Sequence, residues 1–416
     1  MRLAPYLELL RRNPAFARLY AAQLVSFAGD WFATVALLGL ALELTGSDAA
    51  ASFVLVLQVG PFFVASPIAG VLADRLDRRR LMVAADVARA VVALGFLLAR
   101  DPSTLWIALV ATAGVSALSA FFEPTSSAAL PNLVDDEDLP TANVLLGSAW
   151  GTMLAVGAAL GGLVAATLGR DAAFALDAAS FAASALLIIG IRRSFGGAVA
   201  GSTVGRDTGG FRSSLAETWA LARGSRRISA LLLAKTTFGV GTGVIFLLAV
   251  FGSRVFAAGD VGIGILFAAR GLGALIGPFL ARALVGVDDR GLIVGIGASF
   301  VGFVCAYLLL PLAPTIAVAA VLVFLAHLGG GAQWMLSSLG LQRAVPDAIR
   351  GRVFSADYAL VTLAVAVSTL VAGAVASAAG PASALYALMV PAGLAAVAWL
   401  IWTRPLRRAE RATLAE

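Results

Sequence analysis

Asp30 lies in an apolar run, twelve residues beyond Arg18. On a helix that is roughly 18 Å, near the middle of a hydrocarbon layer about 30 Å thick. A carboxylate at that depth costs at least about 2.5–3.5 kcal/mol unless it is paired or hydrated. It can carry a proton in one state and release it in another, or it can hydrogen-bond a neighbouring helix. Arg270 sits in the middle of another apolar run, as does His327, the only histidine, which is followed by Gly329–Gly331, Gln333 and Trp334. Arg270 suits either a counter-ion for Asp30 or a ligand for an anionic solute, and these two roles compete. An imidazole titrates near neutral pH and suits proton coupling, although a lone histidine is more often packed and hydrogen-bonded.

Other chemistries find no residues. No second histidine or cysteine accompanies His327, so metal binding is not expected. The single cysteine, Cys305, excludes a disulfide within the chain. Nucleophile motifs and phosphate-binding loops are absent, which argues against an enzyme or an ATP-driven machine and implies no cofactor.

A second group of charges falls at the ends of apolar runs: Asp74, Arg75, Arg78, Arg79, Asp86, Arg89, Glu123, Lys235 and Asp357. These either meet across helix ends or fix topology as an interfacial cluster. Asp177 is placed five residues into its run, within reach of water or of Arg170 and the surroundings of Asp171. The acidic run Asp135–Asp138 reads as a solvated loop with helix-capping character.

The elements that must hold these groups follow from composition. The chain has 416 residues, of which 60% are hydrophobic and 13% charged, whereas soluble domains carry about 25% charged residues. It is expected to be an integral membrane protein. Twelve stretches are long enough to cross a bilayer, near 18–43, 51–73, 81–99, 104–123, 141–167, 172–191, 228–252, 260–282, 291–310, 315–340, 353–378 and 382–402. No cleavable signal is expected, because the first run is too long for one. With the amino terminus inside, the loops on the far side hold only Arg100, Arg170 and Arg254, and nearly all other basic residues fall on the near side. Both termini are therefore predicted to be cytoplasmic. The net charge of +6 follows from this topology, and no nucleic-acid binding is read from it.

The longest loop, 192–227, separates residues 1–191 from 228–403, with 404–416 as a tail. Its first part has linker composition. Its second places Phe211, Leu215, Trp219 and Ala222 near one helical face, as a short helix on the membrane surface would. The halves look like repeats. Gly277 to Arg282 falls 207 residues after Gly70 to Arg75, and Val345 to Asp347 falls 211 residues after Val134 to Asp136. Glycines four apart, Gly147 and Gly151, Gly157 and Gly161, Gly273 and Gly277, clear stripes for close helix packing.

The loop Gly70, Asp74, Arg75, Arg78 and Arg79 resembles the motif between helices two and three of the major facilitator superfamily of transporters, with Asp77 at the position of the motif's second glycine. Gln23 to Trp31, Leu130 to Val134, Asp177 to Phe181 and Arg350 to Ser355 are similar to the bacterial branch holding enterobactin exporters and macrolide-efflux proteins. Gly157, Gly161 and Gly162 resemble the glycine motif of drug/proton antiporters, with Ala158 where that motif has proline.

The resemblance implies an all-α integral membrane fold of twelve transmembrane helices in two pseudo-symmetric six-helix bundles. It also implies a monomer in the bacterial cytoplasmic membrane. Two such halves around a midplane site rock between inward and outward access. The expected function is secondary active efflux of amphipathic or hydrophobic small molecules, drug, macrolide or siderophore-like, coupled to protons. A lipid or lysolipid translocator on the same fold is the alternative, and a membrane receptor or enzyme ranks below both. The resemblance places spans one, four, seven and ten along the cavity, which puts Asp30, His327, Gln333 and Trp334 on cavity helices. Span eight, with Arg270, borders the cavity. Phe121, Phe122 and Trp334 would suit a bulky apolar cargo. It further implies a charge latch, with Asp74 near 353–357 and Arg78 or Arg75 near Glu123.

Overall fold

Hydrocarbon offers backbone polar groups no partners, so a chain of this composition must pair them within each segment, and the helix does so. The computed structural model describes residues 4–193, 195, 219–285, 288–345 and 347–407, with residues 67, 70, 71, 73–75, 140, 347, 348, 350–352 and 355 described by backbone only. Among the described residues every regular element is helical.

Among the described residues twelve helices are long and apolar enough to span a membrane: Pro14–Thr45, Asp48–Ser66, Arg78–Leu98, Leu105–Leu133, Thr141–Thr167, Arg170–Ile189, Arg226–Val255, Gly259–Val285, Asp289–Leu312, Ile316–Ala344, Ala356–Ala379 and Pro381–Trp402. They are numbered here as spans one to twelve. Several begin where the local sequence directs. Asn13, Ser47, Asp77, Ser225 and Thr315 each accept a hydrogen bond from a backbone N–H of the first turn, as residues of these types favour. Large apolar side chains such as Val64, Leu186 and Leu363 point outward, as a lipid-facing surface requires.

Span four runs about ten residues beyond its predicted end at 123, through Pro124 and Pro131. Its last carbonyls have outside donors. Arg78 Nη1 donates to the Ala128 carbonyl at 2.9 Å, while Asn13 Nδ2 and Arg193 Nη1 donate to Leu133 O at 2.8 and 2.9 Å. These donors secure carbonyls at the extended end of the helix, where no further turn supplies an N–H to Leu133.

Packing divides the chain into two compact units. One is Met1–Thr203 with Ala249–Ala268, the other Val204–Leu248 with Ala269–Glu416. In the first, span one packs on spans five and six, span two on four, and span three on four and six. In the second, span seven packs on eleven and twelve, and span nine on ten and twelve. Gly273 and Gly277 bring span eight against the backbone of span ten. The pairings of one half recur in the other, six spans later.

The segment Ala249–Ala268, which joins spans seven and eight, makes its contacts with the first unit. Span seven ends in a π-helical turn, Phe251–Val255. The chain then reverses through Ala257 and Gly259, both at positive φ, 51° and 53°. Ionic contacts hold this hairpin. Arg254 reaches Asp48 at 2.8 Å and the Leu42 carbonyl at 2.7 Å. Arg170 forks onto both oxygens of Asp260, at 2.9 and 3.2 Å, and reaches Glu43 at 2.6 Å. Gly162 of span five and Gly264 of span eight meet backbone to backbone. A Cβ on Gly264 would lie 2.7 Å from the Ala158 carbonyl oxygen.

Candidate functional site

Asp86 and Arg89 stand one turn apart on span three and form an ion pair whose side chains are 0% and 2% exposed. The Arg89 guanidinium is clamped by the rings of Phe122 from span four and Phe181 from span six, at 4.8 and 4.4 Å. Its Nη1 also contacts the hydroxyls of Ser26 from span one and Ser119 from span four, at 3.4 and 3.3 Å. Four helices therefore converge on one cation.

Asp86 is the carboxylate paired with Arg89. Three more acids stand on the same helices: Asp30 lies four residues beyond Ser26, Glu123 adjoins Phe122, and Asp177 lies four residues before Phe181. One fixed positive charge balances one carboxylate, and in a low-dielectric interior the others need protons, water or mobile cations. Among the described residues no group of three or more such side chains converges as metal ligands would.

Asp177 is 1% exposed, and its Oδ1 has no hydrogen-bond partner in the protein. A Cβ on Gly29 would sit 2.9 Å from that oxygen, so glycine at this position lets Asp177 close onto span one beside Asp30. The sequence reading put Asp177 near water with Arg170. Arg170 instead engages Asp260 and Glu43, and Asp171 pairs with Arg100 at 2.6 Å. Asp30 itself is half-buried, with Thr34 Oγ1 donating to its backbone carbonyl at 2.7 Å.

In the second unit, Arg270 of span eight lies within electrostatic reach of Tyr307 and His327. The Tyr307 hydroxyl and His327 Nε2 are 2.8 Å apart, and the imidazole meets the Phe303 ring edge-on at 5.8 Å. His327 is 4% exposed, so it is packed and hydrogen-bonded. Gln333 is fully buried, whereas Trp334 is 37% exposed. Lys235 and Asp357, read from sequence as end-of-span charges, form a wholly buried ion pair.

The loop motif is held by its arginines. Arg78 donates to the carbonyls of Ala128 and Phe195, and Arg79 to that of Ile189, which ties the turn to spans four and six. Glu123, expected near Arg78, adjoins Phe122, whose ring clamps Arg89. The side chains of Asp74 and Arg75 lie outside the described residues, as does the helical face through Phe211 and Leu215. The described end of that segment keeps Trp219 exposed, with Arg223 at 5.0 Å from its ring. Gly157 and Gly161 lie against span one at Trp31 and Phe32, while Gly147 faces open space.

Asp86, Arg89 and Asp177 were underweighted from sequence. The available signal was the Asp-x-x-Arg spacing inside an otherwise apolar helix, since an i, i+3 pair shares one helical face.

The sequence pattern of a family described as transmembrane secretion effector matches residues 3–416. The Bacillus subtilis protein named for bacilysin export, BacE, is 27% identical over 360 residues, covering 86% of this chain and 88% of that one. The multidrug efflux pump Tap of Mycolicibacterium fortuitum is 31% identical over 195 residues, 45% of this chain and 47% of the relative. Among solved structures, a POT family transporter bound to a thioalcohol-conjugated peptide superposes with a TM-score of 0.76 at 12% identity, over 94% of this chain and 96% of that one. A bacterial homologue of the human lysosomal transporter Spinster, inward-facing, gives 0.74 at 16% identity, over 95% and 97%. At these identities the structural likeness speaks for the fold alone.

Proposed function

Because the chain belongs to the transmembrane secretion effector family of the major facilitator superfamily, we propose that it exports amphipathic or hydrophobic small molecules in exchange for protons, by alternating access. The observation that carries the proton-coupled part is the buried Asp86–Arg89 pair, with three further carboxylates, Asp30, Glu123 and Asp177, on the spans that pack around it. Asp86 and Asp177 are sealed from water, while Asp30 and Glu123 are both half-buried. Of these two, Asp30 stands at the middle of its span, Pro14–Thr45, and is the member that exchanges its proton, with Arg89 as the positioning residue that holds the geometry around it. The halves 1–191 and 228–403 rock about the linker 192–227, with 404–416 as a tail. Gly70, Asp74, Arg75, Arg78 and Arg79 serve the inner gate, Glu123 and Asp357, expected there from sequence, stand apart from it, and Gly157, Gly161 and Gly162 serve the sliding helix interface. Arg270, Gln333 and Trp334 serve the solute path, and His327, packed against Tyr307, holds its wall. The protein acts as a monomer in the bacterial cytoplasmic membrane, both termini inside, as the distribution of arginines favours. The relatives named for bacilysin export and multidrug efflux support outward transport of small molecules.

The test is gradient-driven efflux of hydrophobic dyes and macrolides from cells expressing the protein or Asp30→Asn. Efflux that follows the proton gradient in the parent and loses that dependence in Asp30→Asn is the expected result. Equal gradient dependence in both would remove Asp30 from coupling, and no efflux of any panel member would overturn the exporter reading.

A further inference from the structure

The second unit holds a buried polar cluster apart from the Asp86–Arg89 pair. Lys235 of span seven and Asp357 of span eleven pair with both side chains fully buried. Around the ammonium stand the rings of Trp334, Phe354 and Tyr358, at 5.0, 5.6 and 5.8 Å. Trp334 and Tyr358 meet edge to face at 5.7 Å. Lys235 bonds Oδ2 of Asp357, and Oδ1 of the same carboxylate is buried with no hydrogen-bond partner in the protein.

Gln333 adds the second observation. It is 0% exposed, and neither its amide oxygen nor its amide nitrogen has a partner in the protein. Helix register places it at the level of Lys235. Gly330 and Gly340 of span ten lie against Phe238 and Leu231 of span seven. Gln333 and Ser337 fall between those glycines on the same helical stripe, and Lys235 falls between Leu231 and Phe238 on the facing one. Such a buried, unsatisfied set is costly unless something binds it.

The set has a definite chemistry. Its acceptors are Asp357 Oδ1 and Gln333 Oε1. Its donors are the Gln333 amide and the remaining N–H groups of an ammonium that carries three. The ion pair is neutral as it stands. A ligand with a lone positive or negative charge would leave a net charge in the cluster, whereas a zwitterion keeps the balance at zero and finds an opposite partner for each of its ends.

We infer that this cluster recognises the zwitterionic head group of the exported solute, an amino-acid-like or short peptide-like molecule. Its ammonium goes to Asp357 Oδ1 and Gln333 Oε1, and its carboxylate to Lys235 and the Gln333 amide. The apolar or aromatic body packs on Trp334 and Tyr358, which are 37% and 50% exposed and form the way in. The inference rests on the export reading and names the class of solute.

The test uses the full-length protein in detergent, titrated calorimetrically with phenylalanyl-alanine, its N-acetyl form and its C-terminal amide. The free dipeptide is expected to bind at least tenfold more tightly than either blocked form. Gln333→Leu, which removes an amide the fold leaves unsatisfied and so should fold, is expected to weaken the free dipeptide at least tenfold and to level the three ligands. Three equal affinities, no dipeptide binding, or an unchanged affinity in Gln333→Leu would each overturn the inference. Gradient-driven transport of dyes and of radiolabelled phenylalanyl-alanine in proteoliposomes of the same preparation separates the two readings. Gradient-driven dye efflux without dipeptide discrimination removes the zwitterion site alone, and absent transport of both dye and dipeptide removes the exporter reading.

Discussion

Replacing Arg89 by methionine tests whether one guanidinium anchors the buried acids around it. The side chains of Asp86 and Arg89 are 0% and 2% exposed, so the substitution strands a buried carboxylate, at a cost of about 3–5 kcal/mol. The contacts to Phe122 and Phe181 are worth about 0.5–2 kcal/mol each. Methionine sulfur regains part of this against the same rings, about 0.3–1.5 kcal/mol per contact. Arg89→Met should therefore cost about 3–5 kcal/mol. Asp86→Asn should cost less, about 1–3 kcal/mol, because the amide can still accept a hydrogen bond from Arg89 and Asp30, Glu123 and Asp177 remain on the spans around it. The double variant should cost less than the sum of the two, with a coupling of about 0.5–3 kcal/mol. The assay is equilibrium unfolding in mixed dodecyl sulfate and maltoside micelles, read by tryptophan fluorescence. A cost for Arg89→Met below about 1 kcal/mol, or below that of Asp86→Asn, refutes this account.

Gly264→Val should abolish recovery of monodisperse protein, because its Cβ would lie 2.7 Å from a backbone oxygen in span five. Gly302→Ala, with nothing within 4 Å, should instead raise stability by about 0.5–1 kcal/mol; size-exclusion profiles and unfolding midpoints check the pair. Arg170→Gln should destabilise by about 1.5–3 kcal/mol through loss of its charged hydrogen bonds to Asp260, whereas Glu43→Gln, at a 68% exposed side chain, should cost under about 1 kcal/mol in the same assay. In the turn between spans three and four, hydrogen bonds from Ser103 hold the Asp101 carboxyl below its ordinary range. A carboxyl depressed in the folded state stabilises above its unfolded value and ceases to as pH falls through its folded one. Amide exchange at Ser103 and Thr104, corrected for intrinsic rates, should therefore speed up on acidification in the parent and show no such step in Asp101→Asn.

The twelve spans were legible because each needs about twenty apolar residues, and that demand is local. The run-on of span four was not, since Pro124 and Pro131 say stop and the groups that secure its extended end, Arg78, Asn13 and Arg193, are remote in sequence. Asp30 stood out by its depth. Asp177 was misplaced because nothing local reveals that Gly29, on another span, leaves room for it. Lys235 and Asp357 read as end-of-span charges for a similar reason. They are 122 residues apart, and only packing shows that they face each other.

The hairpin Ala249–Ala268 gives the first unit a discontinuous chain, which has a consequence for biosynthesis. Synthesis proceeds from the amino terminus, so spans one to six are inserted while Asp48 and Arg170 still lack Arg254 and Asp260. That unit is completed only after translation has passed residue 268. A fragment ended within the linker should be an unfinished body carrying an unmatched ionic rim and a bare glycine face at Gly162. Adding the C-terminal fragment in trans restores the missing twenty residues, so the two pieces should survive quality control when made together and be degraded when made alone.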